Sequence, residues 1–401
     1  MEKKSLDGFF ETFLIKETVF NEKKVLQSSY IPEEILHREK EVNQVANTLA
    51  PSLKQEKPSN LFVYGKTGTG KTLSIKYISS ELSKMAEKQK IPLKVIYINC
   101  KLKRAADTEY RIMAQLLRGF GKEVPPTGLP TEELYKIFYN ITEKENQIII
   151  LILDEIDYLV KKVGDGILYN LTRMHETSSS DLSLVGISND VTFVETLDPR
   201  VKSSLSEEEI IFPPYNALQI QDILKRRAAT AFKSGVLQNG VIEKCAAYAA
   251  REHGDARRAL ELLRVAGELA DRNNCKTVSI NHIDEAEDKI DVDRIYEVVA
   301  TQPKQYHLVL YSILSLCKNN NTIVFTGDVY SLYRNYCKKS NTNSLTQRRV
   351  SDIIAEFDML GIIRATTISK GRYGRTREIG LEVENETLAR IKSFLETEIN
   401  V

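Results

Sequence analysis

Residues 65–72 read GKTGTGKT and match the pattern G-x-x-x-x-G-K-[ST] at every fixed position. Glycines let the backbone of such a loop curl so that successive N–H groups point into one concavity, where they bind phosphate oxygens. Lys71 is expected to neutralise the β- and γ-phosphates of a nucleotide, and Thr72 to offer its hydroxyl to Mg²⁺. The loop residues predicted to bind ATP or ADP are Gly65, Gly68, Thr69, Gly70, Lys71 and Thr72.

Two adjacent carboxylates could complete the chemistry of this loop. They close the run QIIILILDEID (147–157), whose continuous aliphatic stretch is typical of a strand buried on both faces. We assign Asp154 to Mg²⁺, through water beside Thr72, and Glu155 to the water that attacks the γ-phosphate. Asn189 follows the next predicted strand and could bond the γ-phosphate or the water, or could be a helix cap or turn residue. Lys71, Glu155 and Asn189 are therefore candidate catalytic residues.

The elements around these residues predict an α/β fold. A short strand precedes the loop, and apolar residues at helical spacing follow it. Further strands are predicted at 93–100, 147–157, 181–190 and 208–214, and helical patterns separate them. Alternating strands and helices indicate a parallel sheet with helices on both faces, which binds ligands at the carboxyl ends of its strands. Upstream, an amphipathic helix is expected to begin near Pro32.

Length and composition limit the remaining possibilities. A chain of 401 residues predicts two or three domains, and 42% hydrophobic with 28% charged residues is typical of a soluble globular protein. The net charge of +1 requires any nucleic-acid affinity to come from local clustering. Five scattered cysteines without a C-x-x-C pair argue against disulfides or zinc and for a reducing cytosol. We expect no signal peptide and no membrane span. The predicted divisions are 1–30 (an arm), 31–215 (nucleotide-binding), 216–298 (helices only) and 299–401.

The last division carries the order helix, strand, helix, helix, hairpin, which is a winged helix. In its third helix Val350, Ile353, Ile354, Phe357 and Leu360 are expected to face the core. The first turns then present the predicted DNA contacts Gln347, Arg348 and Arg349, and the wing adds Lys370, Arg372, Tyr373 and Arg375. Residues 330–377 hold ten basic and three acidic side chains, a net +7, as binding to a DNA backbone requires. The alternative is a winged helix for protein contacts with solvated charges.

The chain resembles the AAA+ ATPases and, more narrowly, the archaeal replication-initiator family related to the origin recognition complex and the cell-division-control initiators. The resemblance covers nearly the whole chain and rests on the order and spacing of its motifs. These are PEEILHREKEV, NLFVYGKTGTGKT, LILDEID, GILYNLTR, GISND, LDPRVKSSL, FPPYNALQIQDILKRRA, GDARRALELLR and the terminal winged helix. The implied fold is an AAA+ nucleotide-binding domain, a helical lid domain and a C-terminal winged-helix domain.

The resemblance also implies roles for residues of the nucleotide site. His37-Arg38-Glu39 would lie near the adenine, and Asn189 would be the sensor on the sheet. The sensor of the lid would be Arg257, although the adjacent Arg258 leaves open which arginine reaches the phosphates. Nucleotide contacts at the junction of sheet and lid would come from Tyr215 and Arg227.

Two further features carry implied roles that compete with simpler readings. Arg200 is a candidate arginine finger for the ATP of a neighbouring subunit, or it makes a local salt bridge. Residues 101–125 occupy the position of a helical insert that touches DNA, with Arg104 near its start, or they form a solvated charged face.

Together these expectations describe an ATP-regulated replication initiator and slow ATPase with Mg²⁺. It would bind double-stranded origin DNA through its winged helix and AAA+ body, in the cytoplasm at the nucleoid, and recruit the replicative helicase. A paralogous initiator is an expected partner, and a membrane is not. The alternatives are an ATP-switched transcriptional regulator and an AAA+ motor or loader with fast hydrolysis.

Overall fold

The computed structural model describes residues 17–101, 108–125, 128–145, 147–173, 180–205, 207–317, 324–369, 375–381, 383 and 385–399. The chain forms two compact units, Met1–Ile283 and Asp284–Val401. None of the helices in these described ranges has both the length and the apolar character needed to cross a membrane.

A five-stranded parallel sheet forms the centre of the first unit. Its strands are β1 (Leu61–Tyr64), β2 (Leu93–Asn99), β3 (Ile148–Asp154), β4 (Asp181–Ser188) and β5 (Glu208–Ile211). They lie in the order β2-β3-β4-β1-β5, and all four neighbouring pairs are parallel. The chain leaves β1 at Gly65, β3 at Asp154 and β4 at Asn189, so one edge of the sheet collects the residues with predicted chemistry.

Helices cover both faces of this sheet. They are α1 (Glu39–Leu49), α2 (Lys71–Gln89), α3 (Glu109–Gly119), α4 (Thr131–Glu145), α5 (Ile156–Val163), α6 (Gly166–Thr172) and α7 (Pro199–Leu205). All seven residues of β3 are buried, and the side chains of the six aliphatic residues alternate between two apolar clusters. Ile149, Leu151 and Leu153 pack into one cluster, while Ile148, Ile150 and Ile152 pack into the other. The predicted strand with two buried faces is therefore present.

The prediction that a helix begins near Pro32 is wrong, because α1 begins at Glu39. His37 has a φ of +59°, in the left-handed region, and Arg38 also lies outside the helical region. This backbone reversal separates residues 31–36 from the helix. Apolar spacing alone does not reveal such a reversal.

A group of helices follows the sheet, as the helical pattern predicts. These are α8 (Ala217–Ala231), α9 (Val241–Arg251), α10 (Ala256–Arg272) and α11 (Ile280–Ala300), and the division between the two units falls within α11. Asn216 and Gln219 form a capping box at the start of α8. Asp255 caps α10 by accepting hydrogen bonds from the backbone N–H groups of Arg257 and Arg258.

Residues 18–30, which we call the strap, pack against these helices and do not extend as a free arm. Val19, Phe20, Val25 and Leu26 are buried, and the Phe20 ring lies 4.8 Å from that of Phe232. The strap is also held by an ion pair of 2.8 Å between Lys23 and Glu268. The apolar residues interspersed in this polar stretch therefore belong to the helical part of the first unit.

The second unit is a winged helix. After α11 it contains α12 (Lys304–Leu316), β6 (Val324–Phe325), α13 (Thr326–Lys339), α14 (Gln347–Met359), β7 (Ile363–Ser369), β8 (Arg375–Leu381) and α15 (Asn385–Ile399). The strands form an antiparallel sheet in the order β6-β8-β7.

The predicted core face of α14 is correct except at its end. Val350, Ile353, Ile354 and Phe357 are buried, whereas Leu360 is 43% exposed. Leu360 lies just beyond the last helical residue, at the C-cap.

Candidate functional site

The loop between β1 and α2 has the backbone conformation that a phosphate-binding loop needs. Gly68 and Gly70 have φ values of +71° and +93°, which residues with a side chain rarely adopt. Neighbouring groups also exclude a side chain here. A Cβ at Gly68 would lie 1.7 Å from Asp255 Oδ1, and one at Gly70 would lie 2.9 Å from the Tyr215 hydroxyl. The two glycines therefore let the start of α10 and the segment between sheet and α8 approach the loop.

Lys71 is held inside the loop by three oxygen acceptors. Its Nζ donates to the carbonyl of Gly65 at 2.6 Å, to the carbonyl of Lys66 at 2.8 Å and to Asn189 Oδ1 at 2.8 Å. Burial, with a contribution from the Arg257 charge, lowers the pKa of Lys71 to about 8. All three acceptors are neutral oxygens, so an anionic ligand in the loop would give this ammonium a directly bonded counter-charge.

Thr72 and Asp154 meet at the start of α2. Thr72 Oγ1 donates to Asp154 Oδ2 at 3.0 Å, and the same oxygen accepts a hydrogen bond of 2.6 Å from the hydroxyl of Tyr97. A hydroxyl and a carboxylate beside a phosphate loop are hard oxygen ligands of the kind that Mg²⁺ takes together with several waters. The two predicted metal residues therefore fit that ion.

Glu155 and Asn189 form the next part of the same edge. Glu155 has a φ of +59°, which turns the chain sharply between β3 and α5. Asn189 Nδ2 donates to Glu155 Oε2 at 3.2 Å, while its Oδ1 accepts from Lys71. The amide of Asn189 thus bridges the lysine and the carboxylate. Asn189 caps no helix, because the next short helix has Thr192 as its N-cap.

The structure separates Arg257 from Arg258. Arg257 is exposed and lines a small cavity together with the loop, Asp154, Glu155 and Asn189. Arg258 is buried, and its Nε lies 3.4 Å from Glu252 Oε2. Only the first of the two arginines therefore faces the predicted phosphate site.

A second, larger cavity adjoins the first and shares Gly68, Gly70, Thr72 and Arg257 with it. Its volume is about 150 Å³. Its wall is largely apolar and comes from the strap, from residues 31–36 and from the helices, and includes Tyr30, Ile31, Leu36, Tyr215, Ile223 and Leu260. The strap and residues 31–36 were not predicted to line a site.

Arg227 also lines this cavity, but its guanidinium is bonded to the strap. Nη1 donates to the Val25 carbonyl at 3.0 Å and Nη2 to the Tyr30 carbonyl at 3.4 Å. The guanidinium carbon lies 4.6 Å from the centre of the Tyr30 ring. In this structure Arg227 holds the wall of the cavity in place, and Tyr215 contributes its side chain to that wall.

The motif His37-Arg38-Glu39 lies outside the described lining of the larger cavity, although Leu36 is part of it. Arg38 is 2% exposed and donates from Nε to the Thr69 carbonyl at 2.9 Å. It also donates to the Pro213 carbonyl and stacks on Tyr215. His37 Nε2 lies 3.1 Å from Asp222 Oδ2 on α8. The motif therefore joins the loop to the helical part of the unit.

Arg200 lies at the exposed start of α7, apart from the cavity. Its backbone N–H donates to Asp198 Oδ1 at 2.8 Å. Within the described part of the chain its guanidinium makes no ion pair, so the local salt bridge considered as an alternative is not found there.

In the second unit the first turn of α14 presents three exposed polar side chains, those of Gln347, Arg348 and Arg349. Arg349 is engaged within the unit. Its Nη2 donates to the Tyr306 hydroxyl at 3.3 Å, and its Nη1 lies 3.9 Å from carboxylate oxygens of Asp352 and Glu356. Arg348 has no such partner among the described residues.

The wing is only partly described. Arg375 begins β8, and the Arg377 guanidinium donates to the Ser351 carbonyl, which ties the wing to α14. Arg377 thus has a structural contact. Arg104, Lys370, Arg372 and Tyr373, four of the predicted DNA contacts, lie outside the described residues.

Known families match three parts of the chain. Residues 54–190 match an AAA domain, 221–288 a Cdc6 AAA+ ATPase-type lid domain, and 297–390 a CDC6 C-terminal winged helix domain. The predicted fold class is confirmed by these matches.

Whole-length relatives agree with them. The chain is 50% identical over 388 residues to an ORC1-type DNA replication protein of Thermococcus onnurineus, covering 96% of this chain and 93% of the relative. It is 50% identical over 394 residues to ORC1-type DNA replication protein 1 of Methanosarcina mazei, covering 98% and 94%. The solved structure of the Aeropyrum pernix ORC1 protein in complex with DNA is 43% identical, with a TM-score of 0.82 and coverage of 95% and 98%. The chain therefore belongs to the family of ORC1-type DNA replication proteins, initiators that combine an AAA+ ATPase domain with a Cdc6-type lid and a C-terminal winged helix.

Proposed function

We propose that this initiator binds double-stranded origin DNA in a manner set by the nucleotide in its AAA+ domain. The observation that carries the proposal is the convergence of Lys71, Thr72, Asp154, Glu155, Asn189 and Arg257 on one cavity, in a chain that also has an exposed basic turn on its winged helix. The DNA complex of the related Aeropyrum pernix protein supports the DNA part of the proposal.

In the nucleotide site, the loop residues Gly65, Gly68, Thr69 and Gly70 bind the phosphates of ATP or ADP. Lys71 and Arg257 neutralise their charge, while Tyr215 and Arg227 shape the cavity for the rest of the nucleotide. Thr72 and Asp154 hold Mg²⁺, which when bound neutralises charge on the phosphates. Glu155 orients and deprotonates the attacking water, and Asn189 bonds the γ-phosphate or this water.

Slow hydrolysis is consistent with the contacts at Asn189. Its amide engages both Lys71 and Glu155, at 2.8 and 3.2 Å. Both groups must exchange this partner for phosphate and water before the reaction. We infer that hydrolysis acts as a timer, not as a source of rapid work.

The switch arises where the lid meets the loop. The N–H of Ala256, the first residue of α10, donates to the Gly68 carbonyl at 3.3 Å, and Asp255 packs on Gly68. Phosphates that enter the loop must therefore act on the start of α10 and on Arg257 beside it. The angle between sheet and lid then depends on whether ATP or ADP is bound, and it changes how the AAA+ body grips DNA.

On DNA, Gln347 and Arg348 read base edges or phosphates from the first turn of α14, with Arg349 and the wing residues Lys370, Arg372, Tyr373 and Arg375 beside them. Arg104 adds a contact from the AAA+ body.

The expected partners are origin DNA, a paralogous initiator and the replicative helicase, and Arg200 is the candidate finger for a neighbouring subunit. We keep 31–215, 216–298 and 299–401 as the proposed domain boundaries.

Genome-wide footprinting with the purified protein tests this function. The expected result is protection of a few repeated elements in one or two intergenic regions. The variant Arg348→Ala should lose this protection, and the control variant Arg390→Ala should keep it, since Arg390 is paired with Asp293 at 2.7 Å. Protection scattered over many promoters would instead indicate a transcriptional regulator. Absence of sequence preference with fast, DNA-stimulated ATP turnover would indicate a motor.

A further inference from the structure

One oxygen of the Asp154 carboxylate accepts two hydrogen bonds from different elements. The Thr72 hydroxyl at the start of α2 donates to Oδ2 at 3.0 Å. The Tyr97 hydroxyl, from the neighbouring strand β2, donates to the same atom at 2.6 Å and forms the shorter bond. Oδ1 accepts no hydrogen bond from the part of the chain that the structure describes. The carboxylate is therefore oriented from one side and open on the other.

Tyr97 is itself fixed in this position. It lies within β2, where its backbone is in register with Ile152 of β3. The ammonium of Lys76, on the first turns of α2, lies 4.3 Å from the centre of its ring. Burial, followed by the hydrogen bond to Asp154, raises the pKa of Tyr97 above its ordinary value, so the hydroxyl keeps its proton and remains a donor.

Of the two donors to Asp154, only Thr72 is expected to bind Mg²⁺ as well. The Thr72 hydroxyl is expected to give an oxygen lone pair to the metal while its proton still bonds the carboxylate, so it serves two partners at once. Tyr97 belongs to neither the phosphate loop nor the acidic strand end, and nothing in the proposed site takes its hydroxyl away. Its hydroxyl therefore orients the carboxylate without also binding the metal.

We propose that Tyr97 is a positioning residue of the metal site, whose hydroxyl holds the Asp154 carboxylate in the orientation that receives Mg²⁺. This inference rests on the proposed function, because it assumes that Asp154 serves the metal. Groups that orient a metal-binding carboxylate typically contribute 10- to 100-fold to metal affinity. The effect should therefore appear in the Mg²⁺ dependence of nucleotide binding and not in nucleotide binding as such.

The test is the variant Tyr97→Phe, which removes one hydroxyl and keeps the ring. ATP binding is measured by calorimetry over a Mg²⁺ titration and in EDTA, and Mn²⁺ binding to the complex by electron paramagnetic resonance. We expect the half-saturating Mg²⁺ concentration to rise about tenfold, with weaker Mn²⁺ binding and unchanged ATP affinity in EDTA. Tyr77→Phe is the matched control, because the hydroxyl of this partly buried tyrosine on α2 makes no hydrogen bond to the described residues.

Asp154→Asn separates failure of this inference from failure of the proposed site. If Asp154→Asn shifts the Mg²⁺ titration and Tyr97→Phe does not, the role of Tyr97 is overturned. Equal losses of ATP affinity with Mg²⁺ and in EDTA for Tyr97→Phe would also overturn it, since they would show damage to the loop. If neither variant shifts the titration, the proposed metal site itself is wrong and the inference falls with it.

Discussion

The guanidinium carbon of Arg38 lies 3.9 Å from the centre of the Tyr215 ring, in the interior of the first unit. The same guanidinium donates to the carbonyls of Thr69, in the phosphate loop, and Pro213, between sheet and lid. A single buried cation therefore connects the phosphate loop to the segment between the sheet and the helices that follow it. Because a buried charge is costly without partners, we expect each of these contacts to stabilise the folded protein.

Replacing this cation by one of different shape should weaken both stability and nucleotide binding. Arg38→Lys keeps the charge but cannot make both carbonyl contacts and the stacking contact together. We expect the free energy of unfolding to fall by about 2 kcal/mol, since hydrogen bonds to charged groups contribute at this level. Denaturant unfolding and ATP calorimetry measure the two effects. Arg272→Lys, at an exposed arginine 4.0 Å from Glu268, is the control. Equal losses of stability and of ATP affinity in the two variants would contradict the role of Arg38.

The lowered pKa of Lys71 predicts a pH dependence of nucleotide binding. In the free protein Lys71 loses its proton as the pH rises through about 8. Phosphates favour the protonated form and raise this pKa in the complex, so binding takes up a proton above pH 8. ATP affinity should be constant below that pH and fall by up to tenfold per pH unit above it.

Fluorescence titration of ATP binding between pH 7 and pH 9.5 measures this dependence. Lys71→Arg is the control, because arginine stays charged throughout the range and its affinity should not change with pH, whatever its absolute value. A pH profile that is the same for lysine and arginine would show that another group titrates.

The two adjacent arginines of α10 should respond differently to substitution. Arg257→Ala should weaken ATP binding more than ADP binding, because Arg257 lines the cavity beside Glu155 and Asn189, where a γ-phosphate would lie. Arg258→Ala should instead lower thermal stability, since it removes the partner of Glu252 and leaves a buried gap. Parallel measurements of both nucleotides and of unfolding compare the variants. The reverse pattern would assign the sensor role to Arg258.

Arg348 and Arg349 are neighbours in the first turn of α14, but only one is engaged within the unit. Arg349 already contacts Tyr306, Asp352 and Glu356, so DNA must compete for it. We expect Arg348→Ala to weaken DNA binding by about 1–3 kcal/mol, and Arg349→Ala to have a smaller effect. Binding isotherms at several salt concentrations measure both affinities and slopes. A larger loss for Arg349→Ala would mean that its internal contacts break on DNA.

The sequence predicts those parts of the site that are local in the chain. The phosphate loop and Asp154-Glu155 are short patterns flanked by strand and helix signals, and the strands bring them to one edge of the sheet by simple topology. The predicted fold class and family depend on the order of such local patterns along the chain, and both are confirmed. The roles of the individual site residues stay predictions until they are measured.

The features that the sequence did not predict depend on long-range contacts or on backbone conformations that a local sequence pattern does not reveal. Tyr97 meets Asp154 from another strand, 57 residues away in the chain. The strap looks polar, and its few apolar residues show no period that would reveal the helices they pack on. The positive φ of His37 prevents a single helix from running from Pro32 into α1. The contacts of Arg38 that accompany this reversal join distant parts of the chain and cannot be read from a local pattern.

The most direct test of the account compares footprints of the purified protein on one protected DNA element with ATP and with ADP. Glu155→Gln should be included to prevent hydrolysis during the experiment, and Lys71→Ala to remove the response to nucleotide. We predict protection in both nucleotide states, with different boundaries or hypersensitive positions for ATP and ADP, and a single pattern for Lys71→Ala. Identical footprints for the wild type with ATP and ADP would contradict the claim that nucleotide sets the grip on DNA.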